Sequence, residues 1–215
     1  TDARRKQEKD RDDAWTPDSK LAWNRLWTIA IDTKQATQLT RGASHVTSFS
    51  IAPDGRRIAY AAQPTPRLGD AERSDLWLVP AAGGTPSPLV QRQGEDALPS
   101  FSPDGRWVAF IGRKERNLER WSNQYLFVIS SAGGRPTNLT ESFDEQVEGV
   151  RAGAGALWMP EGETLLFTAV SRTDQRLFRA FVDGRPVEPV MKSTGVDAGP
   201  SLGRQGEVLA WTHEE

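Results

Sequence analysis

Short apolar runs broken by turn residues recur along this chain at a fixed distance. Leu26-Trp27-Thr28-Ile29-Ala30-Ile31 is matched by Leu76-Trp77-Leu78-Val79, by Tyr125-Leu126-Phe127-Val128-Ile129 and by Leu177-Phe178-Arg179-Ala180-Phe181. The aromatic positions 27, 77, 127 and 178 are spaced 50, 50 and 51 residues apart. Twelve residues after each comes an apolar residue: Leu39, Leu89, Leu139 and Val190, with the same spacings. Two landmarks holding one period mark a structural repeat.

A second half-motif lies between these landmarks. Ser50-Ile51-Ala52-Pro53-Asp54-Gly55-Arg56-Arg57-Ile58-Ala59-Tyr60 repeats as Ser100-Phe101-Ser102-Pro103-Asp104-Gly105-Arg106-Trp107-Val108-Ala109-Phe110. It weakens to Trp158-Met159-Pro160-Glu161-Gly162 and again to Gly203-Arg204-Gln205-Gly206. Pro presets φ, Asp bonds its own backbone and Gly accepts positive φ, so Pro-Asp-Gly between apolar runs predicts a hairpin turn. A second turn follows each aromatic strand, at Asp32-Thr33-Lys34-Gln35, Ala82-Gly83-Gly84, Ala132-Gly133-Gly134 and Asp183-Gly184. Each repeat therefore holds four strands in meander order, A and B around Pro-Asp-Gly, C with the aromatic, D ending near the Leu. Trp107-Val108-Ala109-Phe110-Ile111 is apolar on both faces, which requires a neighbouring sheet on each side.

Four-stranded sheets of about 40 to 50 residues stacked face to face are the blades of a β-propeller. The expected fold is all-β, with propeller blades of four antiparallel strands and about four blade equivalents. The predicted segment runs over 1–215, with C–D strands at 23–40, full blades near 44–90, 96–140 and 150–191, and A–B strands at 196–213. The first residues, Thr1-Asp2-Ala3-Arg4-Arg5, include no initiator Met and no apolar leader core. The chain is therefore expected to be an arc of a larger propeller of seven or eight blades. A mature form without its leader, and a small ring closed by the terminal A–B and opening C–D pairs, are the alternatives.

Charge is nearly balanced, with 27 basic and 29 acidic residues, so no basic stripe for nucleic acid is expected. No apolar run approaches the length that crosses a bilayer. The chain has no Cys and two His, which argues against disulfides and a transition-metal site. Neither an Asp-x-Asp-x-Asp calcium loop nor a phosphate-binding glycine loop is present. Gly42-Ala43-Ser44-His45-Val46 approaches a nucleophile elbow but lacks its second Gly. Adjacent side chains diverge in a strand, so Ser44 and His45 are not expected to act together. His213 stands near the end of the last strand. Asp54 and Asp104 read as turn residues, and Asn138-Leu139-Thr140 as a D-strand ending rather than a glycosylation sequon. No catalytic, cofactor-binding or metal-binding residue is expected in this segment.

Loops at one end of a propeller are where binding evolves. The charged residues 1–20, the insert Arg113-Lys114-Glu115-Arg116-Asn117-Leu118-Glu119-Arg120 and the equivalent loop 64–73 are the candidates. Each also reads as a solvated loop.

The Ser102-Pro103-Asp104-Gly105-Arg106-Trp107-Val108-Ala109-Phe110 pattern resembles the blades of the prolyl oligopeptidase family of serine peptidases, in its acylaminoacyl-peptidase and dipeptidyl-peptidase branches. Lys9-Asp10-Arg11-Asp12-Asp13-Ala14-Trp15, with Asn24-Arg25-Leu26-Trp27 and Gln38-Leu39-Thr40, is similar to the charged approach to a middle blade there. Pro-Asp-Gly blades also occur in the periplasmic propeller protein of the Tol system, a non-enzymatic alternative. The peptidase resemblance implies that the propeller gates substrates for an α/β-hydrolase domain, which holds the catalytic Ser, Asp and His and is absent from this chain. It implies peptide substrates, no cofactor and a cytoplasmic location, with periplasmic or secreted placement and a homo-oligomer left open. The exopeptidase branches hold a substrate amino group with acidic residues. The cluster Glu141, Asp144, Glu145 and Glu148 does not match such a pair residue by residue, and nothing is carried over to it.

Overall fold

The computed structural model describes residues 21–114, 122–148, 155–192, 194–203 and 205–214. The charged lead-in 1–20 and most of the 113–120 insert lie outside them.

Pro-Asp-Gly closes the first hairpin of each repeat. The Gly55 N–H donates to the Ala52 carbonyl at 2.8 Å, and the Gly105 N–H to the Ser102 carbonyl at 2.9 Å. The weaker motifs do the same, Gly162 to Met159 at 3.0 Å and Gly206 to Gly203 at 2.8 Å. These four glycines have φ of 70°, 71°, 72° and 79°, a region where an L side chain is strained. Asp54 and Asp104 each accept the N–H two residues on, at 2.9 and 3.0 Å.

The strands build one two-stranded, two four-stranded and one larger sheet. β1 (Trp27–Ile29) pairs with β2 (Ala36–Gln38). The first four-stranded sheet is β3 (His45–Ile51), β4 (Arg57–Gln63), β5 (Asp75–Pro80) and β6 (Ser87–Val90), in chain order. The second is β7 (Asp96–Phe101), β8 (Trp107–Gly112), β9 (Tyr125–Ser130) and β10 (Thr137–Asn138). The third sheet departs from the repeat. β11 (Gln146–Glu148) and β12 (Leu157–Trp158) both pair with β13 (Thr164–Ser171), which pairs in turn with β14 (Asp174–Phe181), and β15 (Glu188–Pro189) lies beyond β14. The A strand here is split in two and starts at Gln146, not near 150. Glu148 pairs with Thr168 and Leu157 with Leu166, so segments nine residues apart in sequence take nearby partners on β13. The last hairpin, β16 (Val196–Leu202) and β17 (Leu209–Glu214), joins this sheet through one parallel pair, Gln175 with Val196. Among the described residues β17 pairs with β16 and β1 with β2, and no pairing joins β1 to β17.

Alternate residues of one strand enter different cores. Ile58 and Tyr60 pack with Leu26 and Leu39, whereas Ala59 and Ala61 pack with Val108 and Phe110. Ala109 and Ile111, from the same strand as Val108 and Phe110, pack with Val147, Trp158 and Leu165. The blades are also stitched by hydrogen bonds to main-chain carbonyls at one repeated offset. The Val46 N–H donates to the Asn24 carbonyl at 3.2 Å, and Asp96 to Ser74 at 3.0 Å. The Gln175 amide side chain donates to the Asp197 carbonyl at 2.9 Å. These three pairs are each 22 residues apart, linking the start of a C strand to the start of the next A strand.

Phe110 stacks on Phe127 with centroids 5.2 Å apart and is fully buried. Phe110→Ala is expected to lower stability by about 3–5 kcal/mol in urea unfolding. Leu68→Ala, at an exposed site, should change it by no more than about 0.5 kcal/mol.

Candidate functional site: the inner edge and its mouth

Stacking the sheets brings their A strands together; β3 and β7 stand at sheet edges, and β16 meets β14 at Val196 alone. β3, β7 and β16 each carry a bulge, after Val46, Ala97 and Ala198. Leu98 sits at a φ of 53° and Gly199 at 60° in two of these bulges. The strands touch one another through side chains. Ser48 Oγ accepts the Leu98 N–H at 2.9 Å, and the Trp158 indole donates to the Ser100 carbonyl at 3.0 Å. Pro99 and Pro200 lie on these edges and remove donors that another strand could pair with.

Two clefts open along this edge. One, of about 390 Å³, is lined by Ser50, Pro99, Ser100, Ala156, Gly199 and Pro200 among others, and none of its lining residues is charged. The other, of about 580 Å³, shares Ser48, Phe49 and Leu98 with it and extends to Gln63, Ala71 and Glu95. Ala71 belongs to a 3-10 helix, Leu68–Arg73, so the 64–73 insert folds over the mouth of the inner edge. Gln63 holds that insert by donating to the Thr65 and Arg67 carbonyls at 2.7 and 3.2 Å. Glu95 is held by Arg113 at 3.3 Å. The edge offers small side chains, main-chain groups and two apolar surfaces, Phe49 and Leu98. This suits an extended, uncharged chain rather than acid–base chemistry.

The residues singled out in the sequence do not converge there. Ser44 hydrogen-bonds Tyr60, whose phenol burial pushes upward. His45 accepts the Asn24 N–H through Nδ1 at 3.1 Å, and burial and then the Arg25 charge lower its pKa. His213 Nδ1 lies 2.9 Å from Asp197 Oδ1, which also accepts the Trp211 indole N–H at 3.1 Å. Glu141 pairs with Lys114 at 2.6 Å, and Glu145 accepts from Ser171 at 2.7 Å. The Glu148 side chain lies outside the described residues. Asn138 accepts the Thr140 N–H at 3.0 Å, and the Thr140 hydroxyl accepts the Leu126 N–H at 3.0 Å, tying the D-strand end to the C strand. Asp104 is desolvated in part, yet the Ser102 hydroxyl and Arg106 bring its carboxyl down to about 2. Among the described residues, no three His, Asp or Glu side chains gather as a metal site requires.

One buried carboxyl was not anticipated. Asp96, at the head of β7, pairs with Arg92 at 2.5 Å and has no solvent-exposed side-chain surface. Arg92 also lies 4.2 Å from the Phe127 ring centroid, and a Cβ at Gly112 would overlap both Arg92 and Asp96. Burial pushes Asp96 up to about 7 against the pull of Arg92, with Asp75 and Glu95 adding to the rise. Asp197 occupies the same place at the head of β16. The signal was present as Asp96-Ala97-Leu98-Pro99-Ser100 and Asp197-Ala198-Gly199-Pro200-Ser201, two repeats apart.

No protein-family model matches the sequence, and no curated protein matches it. Solved structures do. TolB of Agrobacterium tumefaciens aligns with a TM-score of 0.66 at 20% identity, over 92% of this chain and 67% of that one. A puromycin-hydrolyzing peptidase of Mycobacterium tuberculosis aligns with a TM-score of 0.65 at 16% identity, over 88% of this chain and 32% of that one. The tricorn protease aligns at 0.58 and 14%, over 88% of this chain and 22% of that one. All are β-propeller proteins. This chain is a run of propeller blades. At such identities the likeness is one of fold, shared by proteins of different activity.

Asp96 is expected to keep its proton in the folded chain up to about pH 7, while a free aspartate releases it near 3.8. Its contribution to stability is then full below about pH 4 and lost as pH rises to about 7. Urea midpoints of the wild type should fall across that window relative to Asp96→Asn. Parallel profiles would show instead that Arg92 keeps the carboxyl ionised.

Proposed function

We propose that residues 1–215 are part of the substrate-gating propeller of a serine peptidase of the prolyl oligopeptidase type. The observation that carries the reading is the pairing of the 102–110 blade motif with a fold shared by a puromycin-hydrolyzing peptidase. The chain spans 32% of that peptidase, which leaves room for a hydrolase domain as partner. In this reading peptides pass along the uncharged inner edge, the 64–73 insert borders the entry, and an α/β-hydrolase domain supplies the Ser, Asp and His. It requires no cofactor and goes with a cytoplasmic protein.

A non-enzymatic interaction propeller of the Tol-associated type is the second reading. What favours it is the coverage, 67% of TolB from Agrobacterium tumefaciens. Fluorophosphonate labelling of the longer protein that carries these residues separates the two. The peptidase reading expects a labelled serine outside residues 1–215 and cleavage of short acylated or free N-terminal peptides. An unlabelled protein exported by a secretory leader would overturn it in favour of the second reading.

A further inference from the structure

Each full blade sets a B-strand aromatic opposite a C-strand aromatic: Tyr60 opposite Trp77, Phe110 opposite Phe127, Phe167 opposite Phe178. In two of these blades the loop that enters the A strand lays a flat group against the pair. Arg92 holds its guanidinium 4.2 Å from the Phe127 ring centroid and 5.7 Å from that of Phe110. Phe143 packs edge-on, 4.9 Å from Phe178 and 5.8 Å from Phe167. The two loops, Leu89 to Asp96 and Leu139 to Gln146, have equal length, and so does the first, Leu39 to Val46. The first loop has Gly42 at the position of Arg92 and Ala43 at that of Phe143. Neither residue has a side chain long enough to cover Tyr60 and Trp77.

A cleft of about 300 Å³ lies at this place, and its lining includes Tyr60, Trp77, Ala43, Arg41, Arg73 and Asp75. The volume is at the lower end of small-molecule sites. Ser44 hydrogen-bonds the Tyr60 hydroxyl from the same loop. Arg41 is exposed. Arg73 ends the 3-10 helix Leu68–Arg73, meets Asp70 at 3.4 Å and keeps 54% of its side chain exposed. Among the described residues, the charged lining is therefore two arginines and one carboxylate, Asp75.

We propose that this cleft binds an aromatic carboxylate. The ring lies against Trp77 and Tyr60, as Phe143 does in its own blade, and the carboxylate meets Arg41 and Arg73. Such arginine–carboxylate bonds are charge-assisted. A cation also sits well on an aromatic face, as Arg92 does, but here the two arginines oppose one. The ligand is a free aromatic acid or the C-terminal aromatic residue of a peptide. Because Arg73 belongs to the 64–73 insert, the ligand also fastens that insert beside the mouth. The site does not rest on the peptidase reading.

Calorimetric titration of the protein that carries these residues, with phenylacetate and with the tripeptide Gly-Gly-Phe, tests the site. Binding of phenylacetate marks a small-acid site, and binding of the tripeptide alone marks a peptide end. Amidating the carboxylate of the bound probe should weaken it about tenfold or more. Ala43→Phe, which copies Phe143, should abolish binding with the far-ultraviolet spectrum unchanged. Arg41→Gln should weaken binding about tenfold, and its exposed position covers the case in which the bulkier variant disturbs the loop. No binding of either probe at millimolar concentration, tighter binding of argininamide than of both, or affinities unchanged in both variants overturns the proposal.

Discussion

The B strands β4 and β8 each serve two cores at once. Ile58 and Tyr60 are buried toward the preceding sheet, and Ala59 and Ala61 toward the next. With both faces apolar, a blade cannot bury its residues alone, and its stability comes from the sheets on either side. The bulky residues of one face meet the small residues of another, Val108 and Phe110 against Ala59 and Ala61, which lets the sheets approach closely. The 22-residue stitches between C and A strands hold the blades in one register while they stack.

Stacking about a common edge leaves the A strands with unpaired main-chain groups. Bulges, prolines and side-chain oxygens occupy that edge, and together they keep it from recruiting stray strands. The same features leave one cleft with no charged lining residue and a second that reaches Glu95 and the 64–73 insert. Apart from Glu95, which Arg113 holds, the titratable groups described with that edge are engaged in turns, blade contacts and buried pairs. Asp96 illustrates the difference between a perturbed carboxyl and a working one, because a group with no exposed side-chain surface reaches no substrate.

Local chemistry made the repeat readable. Pro-Asp-Gly needs only four residues to form its turn, so the motif at 53–55 and 103–105 announced the hairpins directly. The turns around Gly162 and Gly206 held even where Pro or Asp had gone, because the glycine's positive φ is the stringent requirement. Other features were less open to reading. The Asp96 and Asp197 pair was visible as a repeated Asp-Ala-x-Pro-Ser but meaningless until Arg92 was seen to close on Asp96 from the preceding loop. The split A strand at 146–148 and 157–158 depends on where β13 offers partners, which periodicity does not state.

By itself the sequence determined the period, the hairpin turns, the four-strand unit and the need for a neighbour on both faces. These follow from φ preferences and from apolar patterning, which act over a few residues. Only the tertiary structure decided which A strands form the inner edge, how the 64–73 insert meets it, and which carboxyls are sealed. Those outcomes depend on how whole blades meet, as where Ser48 accepts the Leu98 N–H, and stacking geometry rather than local preference selects the partner.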